Sequence, residues 1–280
     1  MIKINKDNKN IFQICIKLND NIDSLKMSRK TMLSLNPDYD FHYITTEEEL
    51  KEFMQIHFKS SEDLFEQKIY ESFDAISDKL NYGAKAGRTE DKTQKDKNRN
   101  VCILVSRTDI FRYAVLYKFG GLYLDLSSRF EVSIGEQIEK HDCMIIHKGD
   151  EIPSSIIYAK KHNSIIRNVL ENIIKNCSYE TSSKTLSQYK HVGPYVLTRT
   201  VLNFSTEFSN EKKFENPDSK TVIDCLKILD TNALLEKYNC IVLPQEKSVI
   251  DIQAEWKRQL HNLDPSNPDL VPNEHWLLNY

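Results

Sequence analysis

No stretch of this chain approaches the roughly 20 consecutive apolar residues that cross a bilayer. The first ten residues, Met1 to Asn10, are mostly polar and lack the apolar core of a secretory signal. Charge of one sign is also lacking: 38 basic against 41 acidic residues leave a net charge of -3. That balance gives no reason to expect a nucleic-acid partner. Six cysteines at 15, 102, 143, 177, 225 and 240 include no Cys-x-x-Cys pair. Most sit in apolar runs, which points to reduced core thiols rather than a disulfide framework or a zinc site. These absences describe a soluble, cytoplasmic chain, with peripheral association with a membrane left open.

A hydrophobic content of 40% over 280 residues is enough for one large domain. Periodicity gives its parts. Ile11–Ile16 is a compact apolar run and reads as a first strand. A helix over 24–35 stops at Asn36-Pro37, since proline disfavours helix at the residue before it. A strand follows at Phe41–Ile44, and Thr45-Thr-Glu-Glu-Glu49 opens a helix with an acidic first turn. A second helix over 64–80 carries Phe65, Ile69, Phe73 and Ile76 at spacings of three or four. Residues 83–100 have no apolar periodicity and read as a mobile basic loop. Later strands are expected at 130–134, 141–146, 226–229 and 241–244, with a long amphipathic helix from Ser164. His191-Val-Gly-Pro-Tyr places a proline at a helix start. Asp38-Tyr39-Asp40 spells a DXD but lies in a turn with no strand before it.

The most informative stretch is Ser106–Ser128. It reads as a short helix, capped by Ser106 or Thr108, with Asp109 in its first turn. Gly120-Gly121 stops the helix, and Leu122-Tyr-Leu runs as a strand into Asp125. Asp109 and Arg112 are three apart and share a helix face. A carboxylate at the exit of a buried strand is costly unless it meets a cation, a ligand or water. In open α/β sheets, ligands bind beyond the carboxyl ends of the strands, where Asp125 is expected.

Asp109, Arg112, Gly120-Gly121, Tyr123 and Asp125 together resemble the signature block of the DXD-motif sugar-nucleotide glycosyltransferases. The similar group is glycosyltransferase family 32, with yeast Golgi α-1,6-mannosyltransferases and bacterial capsule enzymes; the clostridial glucosylating toxins carry a related block. Weaker echoes are Phe12-Gln-Ile-Cys15, Asn36-Pro-Asp-Tyr39, His162-Asn163, Gly193-Pro194 and His275-Trp276. The resemblance implies one GT-A type domain over residues 1–280: an α/β, Rossmann-like fold with a mostly parallel sheet. A helical arm and the mobile loop would interrupt it at about 45–100. It implies transfer of a sugar from a UDP- or GDP-sugar to a glycan or glycolipid acceptor, with retention, in surface polysaccharide synthesis. A protein acceptor, and a non-catalytic relative, are the alternatives.

By the same resemblance, Asp109, Arg112 and Asp125 are the catalytic residues. Donor contacts come from Asp109, Arg112, Gly121, Tyr123, Asp125, Ile14 and Trp276. A Mn2+ or Mg2+ ion would be held by Asp125, Ser127 and His275. The second DXD position is a serine here, Asp125-Leu-Ser127, and a hydroxyl brings no charge to a cation site.

Overall fold

The computed structural model describes residues 4–5, 7–16, 23–79, 92–126, 128–130, 133–147, 152–178, 191–205, 231–244 and 249–251. Among these, strand β1 (Asn10–Ile14) leads through helix α1 (Asp23–Leu35) to β2 (Asp40–Ile44). The helical arm follows as α2 (Glu47–Met54), a π-helical turn (Gln55–Lys59) and α3 (Leu64–Lys79). Helix α4 (Lys92–Phe119) then feeds β3 (Gly121–Leu124). The rest runs β4 (Ser128–Phe130), α5 (Gly135–Glu139), β5 (Cys143–His147), β6 (Ile156–Ala159), α6 (Ser164–Ser178), α7 (Pro194–Ser205), α8 (Thr231–Tyr238), β7 (Cys240–Pro244) and β8 (Val249–Asp251).

Six strands form one sheet in the order β2-β1-β3-β6-β5-β7, and β4 pairs β8 apart from it. Strand β1 is parallel to both β2 and β3, and β5 is parallel to β7. Strand β6 alone runs against its neighbours β3 and β5. The expected α/β class, with a mostly parallel sheet and a helical insertion, is the one observed. Because β1 connects to β2 on one side and pairs with β3 on the other, the chain reverses its direction of travel at β1. The crevice at the carboxyl ends of β1 and β3 is therefore the topological switch point, where open α/β sheets take ligands.

Strand alternation divides the core between the two sheet faces. Phe12 and Tyr123 join the larger cluster with Phe53, Ile69, Phe111 and Leu170. Ile11, Leu122 and Leu124 join the smaller one with Met32 and Met144. Helix α6 buries Ile165, Ile166, Val169, Leu170, Ile173 and Cys177, a stripe at helical spacing. Asn163 caps it, its Oδ1 accepting from the amides of Ile165 (3.0 Å) and Ile166 (3.2 Å). The acidic start of α2 is a full capping box: Thr46 accepts from the Glu49 amide, and the Glu49 carboxylate accepts from the Thr46 amide.

The structure corrects several expectations. The helix before Gly120 begins at Lys92, so residues 92–100 are helical rather than a mobile loop. Their polar residues carry helix propensity without an apolar stripe, which periodicity cannot detect. Ser106 and Thr108 are consequently interior residues, not caps. Their hydroxyls donate back to the carbonyls of Cys102 (2.8 Å) and Leu104 (3.0 Å). Asp109 and Arg112 lie in the C-terminal half of α4, not in a first turn. Strand β4 ends at Phe130, and Ile134 instead precedes α5. The strand expected at 226–229 lies outside the described residues.

Candidate donor site

Two glycines join α4 to β3. Gly120 has φ +68° and its amide still bonds Leu116 O at 3.0 Å, a left-handed helix end. Gly121 has φ +112°, and a Cβ there would stand 2.2 Å from the Asn10 carbonyl oxygen. Close approach of β3 to β1 therefore requires glycine at 121. Gly121 stands at the amino end of β3, at the opposite end of the strand from Asp125. The sharp turn sends β3 back along α4, which brings Tyr123 and Asp125 beside Arg112.

Arg112 is the centre of the arrangement. Its Nη2 meets Asp109 Oδ1 at 2.8 Å, and both side chains are buried. Its Nη1 donates to the carbonyl and to the hydroxyl of Ser154, each at 2.6 Å. The same Nη1 is 3.6 Å from Asp125 Oδ1. The guanidinium carbon lies 4.8 Å from the centre of the Tyr123 ring. Nε is buried with no acceptor among the described residues. A buried guanidinium is tolerated only with such partners. Burial opposes the charge on Arg112, but Tyr123, Asp125 and Asp109 outweigh it and hold the group protonated above its ordinary range.

Asp125 is the most open member, with 28% of its side chain exposed. Its amide donates to Ser155 O at 2.7 Å, and Gln13 Nε2 approaches its carbonyl oxygen at 3.5 Å. Burial pushes the Asp125 carboxyl up, while Arg112 and the Tyr123 hydroxyl pull it back. Burial likewise raises the Tyr113 and Tyr123 phenols, so both stay neutral.

The structure brings together Asp109, Arg112, Tyr123 and Asp125. The register Ile11↔Leu122 and Phe12↔Tyr123 carries Ile14 level with Asp125 across the crevice. Ser127, His275 and Trp276 lie outside the described residues. No group of three metal-ligating His, Cys, Asp or Glu residues occurs among the described ones. The second DXD spelling is otherwise engaged: Asp38 pairs with Lys9, and the Tyr39 hydroxyl donates to Glu139 at 2.6 Å. Two residues of the site escaped the sequence. Ser154 has no local signal, being 42 positions from Arg112. Gln13 had one, a polar residue inside the apolar run 11–16; it is 1% exposed and its Oε1 has no partner among the described residues.

Residues 23–145 match the family model described as a glycosyltransferase sugar-binding region containing a DXD motif. That segment holds β1's partner strand, the helical arm, the Asp109–Arg112 pair and Asp125. None of the curated proteins compared matches the chain. Among solved structures, PaToxG glycosyltransferase is similar at 18% identity and a TM-score of 0.44, covering 90% of this chain and 83% of that one. The catalytic domain of alpha-toxin from Clostridium novyi is similar at 11% identity and a TM-score of 0.36, over 82% of this chain and 73% of that one. The UDP-bound glycosyltransferase domain of the YGT toxin is similar at 11% and 0.36, over 94% and 87%. No helix among the described residues is long and apolar enough to cross a membrane.

Proposed function

We propose that this chain is a GT-A type glycosyltransferase that moves a sugar from a UDP- or GDP-sugar to a hydroxyl of a glycan or glycolipid, with retention of anomeric configuration. The observation that carries the proposal is the buried Asp109–Arg112 pair beside the partly open Asp125 at the switch point of the sheet. The family-model match over 23–145 supports transferase chemistry on a nucleotide-sugar donor.

The arrangement suits that chemistry. Arg112 places a fixed positive charge beside the partly exposed Asp125. Asp109 holds the guanidinium in place through its contact with Nη2. Asp125 fits a hard cation: it is a carboxylate, partly exposed, and not closed into a tight ion pair. In this proposal Asp125 holds Mn2+ or Mg2+, with Ser127 and His275 as further ligands. The cation supplies neutralisation of charge on the leaving diphosphate. In this reading the reaction is a front-face displacement that needs no dedicated nucleophile. There the leaving phosphate oxygen takes the proton of the acceptor hydroxyl.

The test is nucleotide release from a panel of UDP- and GDP-sugars, with Mn2+, with Mg2+ and with chelator. Cation-dependent release with one donor is expected. Nucleotide binding without release from any donor overturns the transferase reading and favours a non-catalytic relative.

A further inference from the structure

We propose that Ser154 is a positioning residue that restrains Arg112 from closing on Asp125 and so keeps the Asp125 carboxylate open to a divalent cation. The proposal deepens the donor-site reading above and rests on it.

Arg112 Nη1 carries two N–H bonds, and Ser154 supplies two acceptors at 2.6 Å, its carbonyl and its hydroxyl. Asp125 Oδ1 is the third acceptor near this nitrogen and stands at 3.6 Å, outside hydrogen-bond reach. With both hydrogens spent on a neutral residue, Nη1 does not form the short charge-assisted hydrogen bond it would otherwise make with a carboxylate so near. A carboxylate closed on Arg112 would be neutralised and would lose its value as a cation ligand.

The placement of Ser154 is set from elsewhere in the fold. The Ser155 carbonyl accepts from the Asp125 amide at 2.7 Å, which ties this segment to the exit of β3. The Thr198 hydroxyl bonds the backbone of Ile152, accepting from its amide at 3.3 Å and donating to its carbonyl at 3.4 Å. Helix α7 therefore anchors the backbone at Ile152, two residues before Ser154. Ser154 itself is 3% exposed. Loss of its hydroxyl would leave one N–H of a buried guanidinium without an acceptor. The cost of that orphan drives Nη1 toward Asp125.

The test compares full-length wild type with Ser154→Ala by crystal structure and by Mn2+ titration in the presence of UDP, read by electron paramagnetic resonance. In the variant, the Arg112 Nη1 to Asp125 distance is expected to contract to about 2.8 Å. The apparent Mn2+ Kd is expected to weaken roughly fivefold to tenfold, the loss of about one charged ligand contact. Ser154→Thr keeps the hydroxyl and is expected to bind Mn2+ within about twofold of wild type, a rescue that a packing role alone would not give. Should Ser154→Ala fail to fold, Ser154→Cys keeps the volume with a weaker acceptor and gives the same comparison. Equal Mn2+ affinity in wild type and variant, with the guanidinium unmoved, overturns the proposal alone. A wild type that takes up no Mn2+ beside UDP overturns the donor-site reading, and the cation part of this proposal with it.

Discussion

Arg112 grips Asp109 at 2.8 Å but stands off Asp125 at 3.6 Å. One guanidinium thus has a closed, buried partner and an open, half-wet one. The closed contact fixes the group, and the open one leaves a carboxylate facing the crevice. The two carboxylates therefore respond differently to substitution.

Asp125→Asn is expected to abolish nucleotide-sugar turnover, by at least about 10²-fold, while the protein stays folded. The carboxylate is partly exposed and outside a tight ion pair, so its neutralisation removes little stability. Turnover assays together with urea denaturation check both halves. Turnover surviving in this variant would remove Asp125 from the site. Ser127→Ala is expected to cost less, and Ser127→Asp to tighten the apparent Mn2+ affinity.

Arg112→Met leaves Asp109 buried without its counter-charge and is expected to destabilise the fold by about 3–5 kcal/mol. The double variant Arg112→Met with Asp109→Leu removes the orphan charge and should recover most of that loss without recovering turnover. Denaturation midpoints of the two variants, measured beside nucleotide release, separate the stabilising role of the pair from its role toward the donor. A double variant no more stable than the single one counts against the buried-pair account.

Gly121→Ala places a Cβ 2.2 Å from the Asn10 carbonyl at a φ of +112°. Strain and clash together are expected to exceed about 3 kcal/mol. Because the contact joins β1 to β3, the predicted outcome is a large fall in Tm or in soluble yield. A Tm within a few degrees of wild type would show that the two strands can separate cheaply.

His42 is 4% exposed, stacks on Phe12 with ring centres 4.7 Å apart, and bonds Asn10 Oδ1 at 2.9 Å. Burial lowers its pKa to about 4 from 6.5, with nearby Asp40 raising it and His57 lowering it. The folded protein thus resists a proton that the unfolded chain accepts below pH 6.5. Stability from this group is complete above that pH and declines as pH falls toward 4, by up to about 3 kcal/mol. Urea midpoints across pH 4–7 read the slope, which His42→Gln is expected to flatten. An equal slope in that variant would assign the acid sensitivity to other groups.

Much of the frame was legible along the chain. The apolar run 11–16, the spacing of Phe65, Ile69, Phe73 and Ile76, and the turn at Asn36-Pro37 each encode a local period or a local break. They appear as β1, α3 and the end of α1. Helix α4 was legible only in its apolar half, because its first turns carry polar residues of ordinary helix propensity and no stripe.

The donor block divides in the same way. Asp109 and Arg112 at a spacing of three, the glycine pair, and a carboxylate closing an apolar strand are facts of sequence, since each depends on neighbours within one turn or one strand. What Arg112 does with its donors is not such a fact. Ser154 is 42 residues away and reaches it only because antiparallel β6 returns beside β3, with its lead-in tied to Asp125 and to α7. Sequence by itself determined which charges this crevice would contain. Only the packing of distant segments decided which of them are neutralised by protein partners and which remain open, because hydrogen-bond geometry is settled within a few tenths of an ångström and has no period along the chain.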